Sequence, residues 1–135
     1  MNRILYSDLE GTYSLLDYSR SHSQLLFRKR TNCSNTDILF KSVRAIVLPT
    51  LLTGIEISRI ENEKEIVNII ERYHFNIEFG YRIYLLKTKQ LQEFYLNAGV
   101  FGVFQNELDI LETSIGDFTW SKSNSLIFWS DSPLE

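Results

Sequence analysis

Three consecutive basic residues, two histidines and one cysteine are the side chains of this sequence most able to do chemistry. Arg28-Lys29-Arg30 follows Phe27 at the end of a segment, Gln24 to Lys29, that reads as a strand with apolar residues on both faces. Strand side chains alternate between faces, so Arg28 and Arg30 share one side and Lys29 takes the other. Two neighbouring guanidinium forks suit a carboxylate or a phosphate held by paired hydrogen bonds. His22 lies just upstream, in Ser19-Arg20-Ser21-His22-Ser23, and supplies an acid or base for such an anion. Arg28, Arg30 and His22 are therefore the expected small-anion site. The plainer reading is an edge strand whose charges deter pairing with another chain.

Nucleophilic and phosphate chemistry have less behind them. Ser21 or Ser23 with His22 and Asp17 supplies the residue types of a hydrolase triad. A triad is defined by geometry and roles, however, and adjacency in sequence does not make one. No G-x-S-x-G elbow is present, and no glycine-rich loop joins a strand to a helix. Gly99 and Gly102 interrupt strand-like sequence, where glycine marks a bend, a bulge or a close backbone approach. A zinc site would need both histidines, because no cysteine cluster completes it. Cys33 stands alone in a polar loop, which excludes an internal disulfide and leaves an incidental thiol. The expectation is no catalytic residue, no metal and no cofactor.

Acidic residues form the other notable set. Glu107, Asp109, Glu112, Asp117 and Asp131 crowd the C-terminal third, where Lys122 is the only basic residue. Trp120 and Trp129 share that region, and tryptophan is enriched at interface hot spots. Glu107, Asp109, Glu112, Asp117, Trp120 and Trp129 make an expected docking surface, complementary to a basic protein partner. A solvated acidic face over packed tryptophans is the plainer alternative. A paired-carboxylate hydrolase would need a cleft between two acids, and the sequence marks none.

The segments that position these residues are mostly strands. Between Asp37 and Ile60, apolar residues alternate at Ile38 and Phe40 and then, with the phase slipped by one, at Val43, Ala45 and Val47. A bulge at Lys41-Ser42 would absorb the extra residue. Pro49 ends the ladder, and alternation resumes at Ile55 and Ile57. Asn62 with Glu65 has the form of a capping box, and Ile66, Ile69, Ile70 and Tyr73 make one helical stripe. Arg72 and His74 near the end suit the helix dipole, and Asn76 suits a left-handed cap. Further strands are expected over Ile77–Leu86, Glu93–Gln105, Glu107–Thr113 and Leu126–Trp129. Arg3–Tyr6 reads as a short strand or arm, and Thr12–Tyr18 has no clear period.

These elements predict one α+β domain over residues 1–135: a curved, mainly antiparallel sheet of about six to eight strands with one helix, about residues 62–75, packed on it. A length of 135 residues with 44% hydrophobic and 23% charged composition fits a globular core. A net charge of -3 lacks the basic footprint of a nucleic-acid binder. No window approaches the roughly 18 apolar residues of a membrane span, and the N-terminal stretch lacks a signal-like run. Cytoplasmic localisation is the resulting expectation, and Leu134-Glu135 has the look of a cloning scar. The functional expectation is a non-enzymatic, cytoplasmic protein-binding domain, of inhibitor, immunity or regulatory type. The alternatives are a small-anion-binding or enzymatic domain built on Arg28, Arg30 and His22, and a structural homodimer.

Overall fold

The computed structural model describes residues 2–32, 34–109, 111–115 and 125–131. Nine strands and one α-helix follow in the order β1 (Arg3–Ser19), β2 (Gln24–Thr31), β3 (Ser34–Lys41), β4 (Ala45–Val47), β5 (Leu51–Arg59), α1 (Glu63–Tyr73), β6 (Arg82–Lys87), β7 (Glu93–Ala98), β8 (Val100–Asn106) and β9 (Ser125–Trp129). Every ladder is antiparallel, and the hydrogen-bonded order is β4-β7-β6-β5-β1-β2-β3-β8-β9. The class is α+β, with a larger sheet than the sequence suggests. The count rises because two continuous runs each break into two strands.

The first such run is residues 34–47. Lys41 pairs with Val100 and Ala45 with Asn97, so the register slips by one residue across the junction. Ser42 absorbs the slip at a φ of 55°. The second run breaks at Gly99, whose N–H donates to the carbonyls of Lys41 and Ser42. Gly102 is a close-approach glycine, since a Cβ there would stand 2.7 Å from the Phe104 ring and 2.9 Å from Trp129.

β1 is the long element that sequence pattern did not reveal. Its first part pairs with β5 and its last part with β2. Register shifts at Ile4/Tyr6, Asp8/Thr12 and Leu15/Asp17 scramble its alternation. A period-2 reading cannot follow a strand interrupted three times.

One sheet face carries the main core, which includes Tyr13, Leu25, Phe27, Ile38, Phe40, Ile55, Tyr84, Leu86 and Phe101. Phe40, Tyr84 and Phe101 form a ring cluster with centroids 5.2–5.8 Å apart. α1 covers part of the other face, placing Ile66, Ile69, Ile70 and Tyr73 against Ile60, Phe75, Ile83, Leu85 and Tyr95. Its start follows the capping expectation: Asn62 Oδ1 accepts from the Glu65 N–H at 3.0 Å, an interaction worth about 1 kcal/mol. Its end differs, because His74, with φ 58° and ψ 39°, takes the left-handed cap expected of Asn76.

Asn76 has another task. The buried Asn97 side chain accepts from the Asn76 N–H and donates to the carbonyls of Asn76 and Arg82. That clamp holds residues 76–81 off the ladder, so the strand expected from Ile77 begins only at Arg82. Phe79 sits instead in a short 3-10 turn at φ 60°, 92% exposed. The strand expected over 107–113 is likewise not formed at the described positions, where Glu107–Asp109 and Leu111–Thr113 are irregular.

Candidate functional site

The face of β2, β3 and β8 opposite the main core carries a buried polar network, and period 2 explains its membership. Arg28 pairs with Asp37 and Arg30 with Asn35 across the β2–β3 hairpin, while Asp37 and Asn35 face Phe104 and Asn106 on β8. Arg28 Nε donates to Asp37 Oδ1 at 2.7 Å and its Nη2 to Oδ2 at 2.9 Å, a two-pronged pair with both partners buried. Asn106 Nδ2 and Ser114 Oγ also donate to Asp37 Oδ2, at 2.8 and 2.9 Å. Four donors thus converge on one carboxylate with no exposure, which a buried charge requires.

The same network fastens the segment after β8. Arg28 Nη1 donates to the Asp109 carbonyl at 3.1 Å. Arg30 Nη1 and Asn35 Nδ2 both donate to the Leu108 carbonyl, each at 2.9 Å. Asn35 Nδ2 also donates to Asn106 Oδ1 at 2.8 Å. A turn follows, in which Glu112 N donates to the Asp109 carbonyl and Asp109 N donates to Glu112 Oε1. Ile115 then packs over Leu26, Leu39 and Phe104. The irregular stretch is therefore held at Leu108, Asp109, Ser114 and Ile115.

Arg28 does clamp a carboxylate in bidentate fashion, but that carboxylate is Asp37 of the same chain. β2 lies between β1 and β3, so the edge-strand alternative for its charges does not hold. His22 is not brought to the arginines. It sits exposed in the β1–β2 turn with Nδ1 2.9 Å from Ser19 Oγ and 3.2 Å from Ser21 Oγ, at the other end of β2 from Arg30.

Glu107, Asp109 and Glu112 are brought together. All three are exposed and line one depression of about 440 Å³ with Ser34, Gln105 and Ser125. Trp129 is half-buried against the Leu26–Leu39–Phe104 cluster, with Lys41 Nζ 5.7 Å from its ring centre, and does not line that depression. Asp117, Trp120 and Cys33 lie outside the described residues. Asp131 accepts from Arg82 Nη1, beside Ser130, whose N–H donates to the Phe101 carbonyl and whose Oγ accepts from the Phe101 N–H.

A second polar cluster lies where β1 passes β2. Asp8 Oδ2 accepts from Tyr13 O–H at 2.7 Å and from Lys29 Nζ at 2.6 Å. A Cβ on Gly11 would stand 2.5 Å from that carboxylate oxygen, so the cluster needs glycine there. Burial pushes the Tyr13 hydroxyl well above the usual tyrosine range, and the bond to Asp8 adds to this. At Asp8 burial works upward, but the bonds from Lys29 and Tyr13 outweigh it and hold the carboxyl below its ordinary 3.8. A lowered folded value gives stability that is present above pH 3.8 and lost as pH falls through the folded value. Asp8→Asn should therefore flatten the acid limb of the stability profile below that pH, read by urea unfolding at successive pH values. An unchanged acid limb would remove Asp8 from this role.

Sequence reasoning missed Asp37, Asn35, Asn106 and Ser114. The hairpin register offered a signal, because pairing Thr31 with Ser34 sets Arg28 opposite Asp37. Among the described residues, no group of three or more His, Cys, Asp or Glu is placed to hold a metal ion. No helix among them is long and apolar enough to cross a membrane. Compared with known protein families, curated proteins and solved structures, the chain matches none of them.

Proposed function

We propose that this chain is a non-enzymatic protein-binding domain that docks a basic partner on the segment after β8. The observation that carries this reading is the convergence of Glu107, Asp109 and Glu112 around one depression on a segment fastened from beneath. Like charges on a free loop would spread apart. Here the backbone is held by Arg28, Arg30 and Asn35, so little ordering remains to be done on binding. Complementary charge would speed encounter and set orientation. An inhibitor, immunity or regulatory role in the cytoplasm is the concrete form of this proposal.

We also infer that the sheet is curved. β3 and β4 form one run, β7 and β8 another, and the two runs face each other along both ladders. The Tyr84 and Phe101 rings meet at 5.4 Å although β6 and β8 are not ladder neighbours. Curling brings the fastened segment to a convex outer surface, where a partner can reach it.

The test is affinity capture from native lysate with wild-type protein and a Glu107→Lys, Asp109→Lys, Glu112→Lys variant, matched for thermal stability. A protein retained at low salt by the wild type, released by high salt and lost with the variant is the expected result. Equal capture of that protein by both would reject this surface. Recovery of bare dimer would favour self-association, for which the exposed Leu126 and Ile127 of the edge strand β9 offer apolar contacts.

A further inference from the structure

We propose that the groove between the β1–β2 hairpin and the segment after β8 binds a small molecule joining a carboxylate to a short hydrocarbon body. The groove encloses about 330 Å³ and is lined by Thr12, Ser14, Leu15, Leu16, Arg28, Arg30 and Leu111. That volume lies within the range of small-ligand sites. Its floor follows from strand periodicity. Ser14 pairs with Arg28, so Thr12 and Ser14 share the outer face of the hairpin with Arg28 and Arg30.

The two arginines differ in charge balance. Arg28 is neutralised by Asp37. Arg30 is half-buried, and its Nη1 bonds are to neutral acceptors, Asn35 Oδ1 and the Leu108 carbonyl. Among the described residues no ion pair neutralises Arg30. Glu107, Asp109 and Glu112 line the other depression, and none of them lines this groove. A half-desolvated cation without a counter-ion attracts an anion more strongly than one in water.

The walls fix the rest of the ligand. Leu16, half-buried beside the Leu26–Leu39–Phe104 cluster, stands on the strand side, and Leu111, 80% exposed, stands opposite. A simple inorganic anion would leave those leucines in water, whereas a short alkyl body would cover them. The Thr12 and Ser14 hydroxyls can donate to the second carboxylate oxygen. His22 has no part in this site. The proposal is independent of partner docking, since it uses none of the three acidic side chains.

The test titrates octanoate, octan-1-ol and acetate into 15N-labelled protein and follows the amide shifts. Octanoate is expected to saturate shifts at Thr12, Ser14 and Leu111, with octan-1-ol and acetate at least about tenfold weaker. Arg30→Gln should weaken octanoate by about tenfold or more. Leu111→Asp, at an exposed position that folding tolerates, removes one apolar wall and puts a carboxylate in the groove, so it should weaken octanoate by a larger factor than octan-1-ol. Octan-1-ol binding as tightly as octanoate, shifts confined to other residues, or wild-type octanoate affinity in Leu111→Asp would each overturn the assignment.

Discussion

Asp37→Ala should destabilise the protein by about 3–5 kcal/mol, because it leaves the Arg28 guanidinium buried without its counter-ion. Against a typical total of about 5–15 kcal/mol, that is from about a fifth to all of the stability. Arg28→Met should cost a similar amount for the mirror reason. The double variant Arg28→Met, Asp37→Leu should cost much less than the sum, since the pair's worth is offset by the desolvation of both charges. Urea unfolding of the three variants gives the comparison. Hydrogen exchange adds a second readout, with protection lost first at the Leu108 and Asp109 amides, which donate to Asn106 and Glu112 in the segment the arginines hold. A loss under about 1 kcal/mol for Asp37→Ala would show that the network is solvated.

Phe101→Ala is the other large effect, at about 3–5 kcal/mol for truncating a fully buried aromatic. Phe101 meets Phe40, Tyr84 and Phe128, with centroids 5.2, 5.4 and 5.7 Å away. The informative quantity is its coupling to Tyr84. A double-mutant cycle between Phe101→Ala and Tyr84→Ala should return about 0.5–1.5 kcal/mol for the edge-to-face pair. Such coupling requires β6 and β8 to face one another across the core, as a curved sheet brings about. A flat sheet would separate them by four intervening strands and give no coupling.

What was legible in the sequence had local causes. The start of α1 rests on Asn62 and Glu65 within one turn, and both side and spacing were right there in the chain. The one-residue register slip falls at Ser42, where the apolar parity changes, but Val43 faces the main core while Ala45 and Val47 face the helix-side cluster. What was hidden had distant causes. Ile77 and Phe79 continue the alternation of Ile83 and Leu85, yet Asn97, on another strand, takes the hydrogen bonds that would extend β6. Leu108 alternates like a strand residue but is held by Arg30 and Asn35 in an irregular path. The spacing of Arg28 and Arg30 suggests an external carboxylate, whereas Arg28 is engaged by Asp37 of its own chain. Its partner lay nine residues along the chain, one hairpin register away.

The span of the Asp37 network has a kinetic consequence. Arg28 and Asp37 meet across a short hairpin, which can close in microseconds. Asn106 and Ser114 complete the site from 69 and 77 positions away. Loop closure over such distances is slow relative to hairpin formation. The β2–β3 hairpin is therefore expected to form early with its ion pair still wetted by solvent, and to wait for β8. Desolvation of Asp37 is then a late event that reports arrival of the native topology. A chain that brought a mispaired strand to β3 would bury Asp37 with two donors missing, and the penalty would send it back.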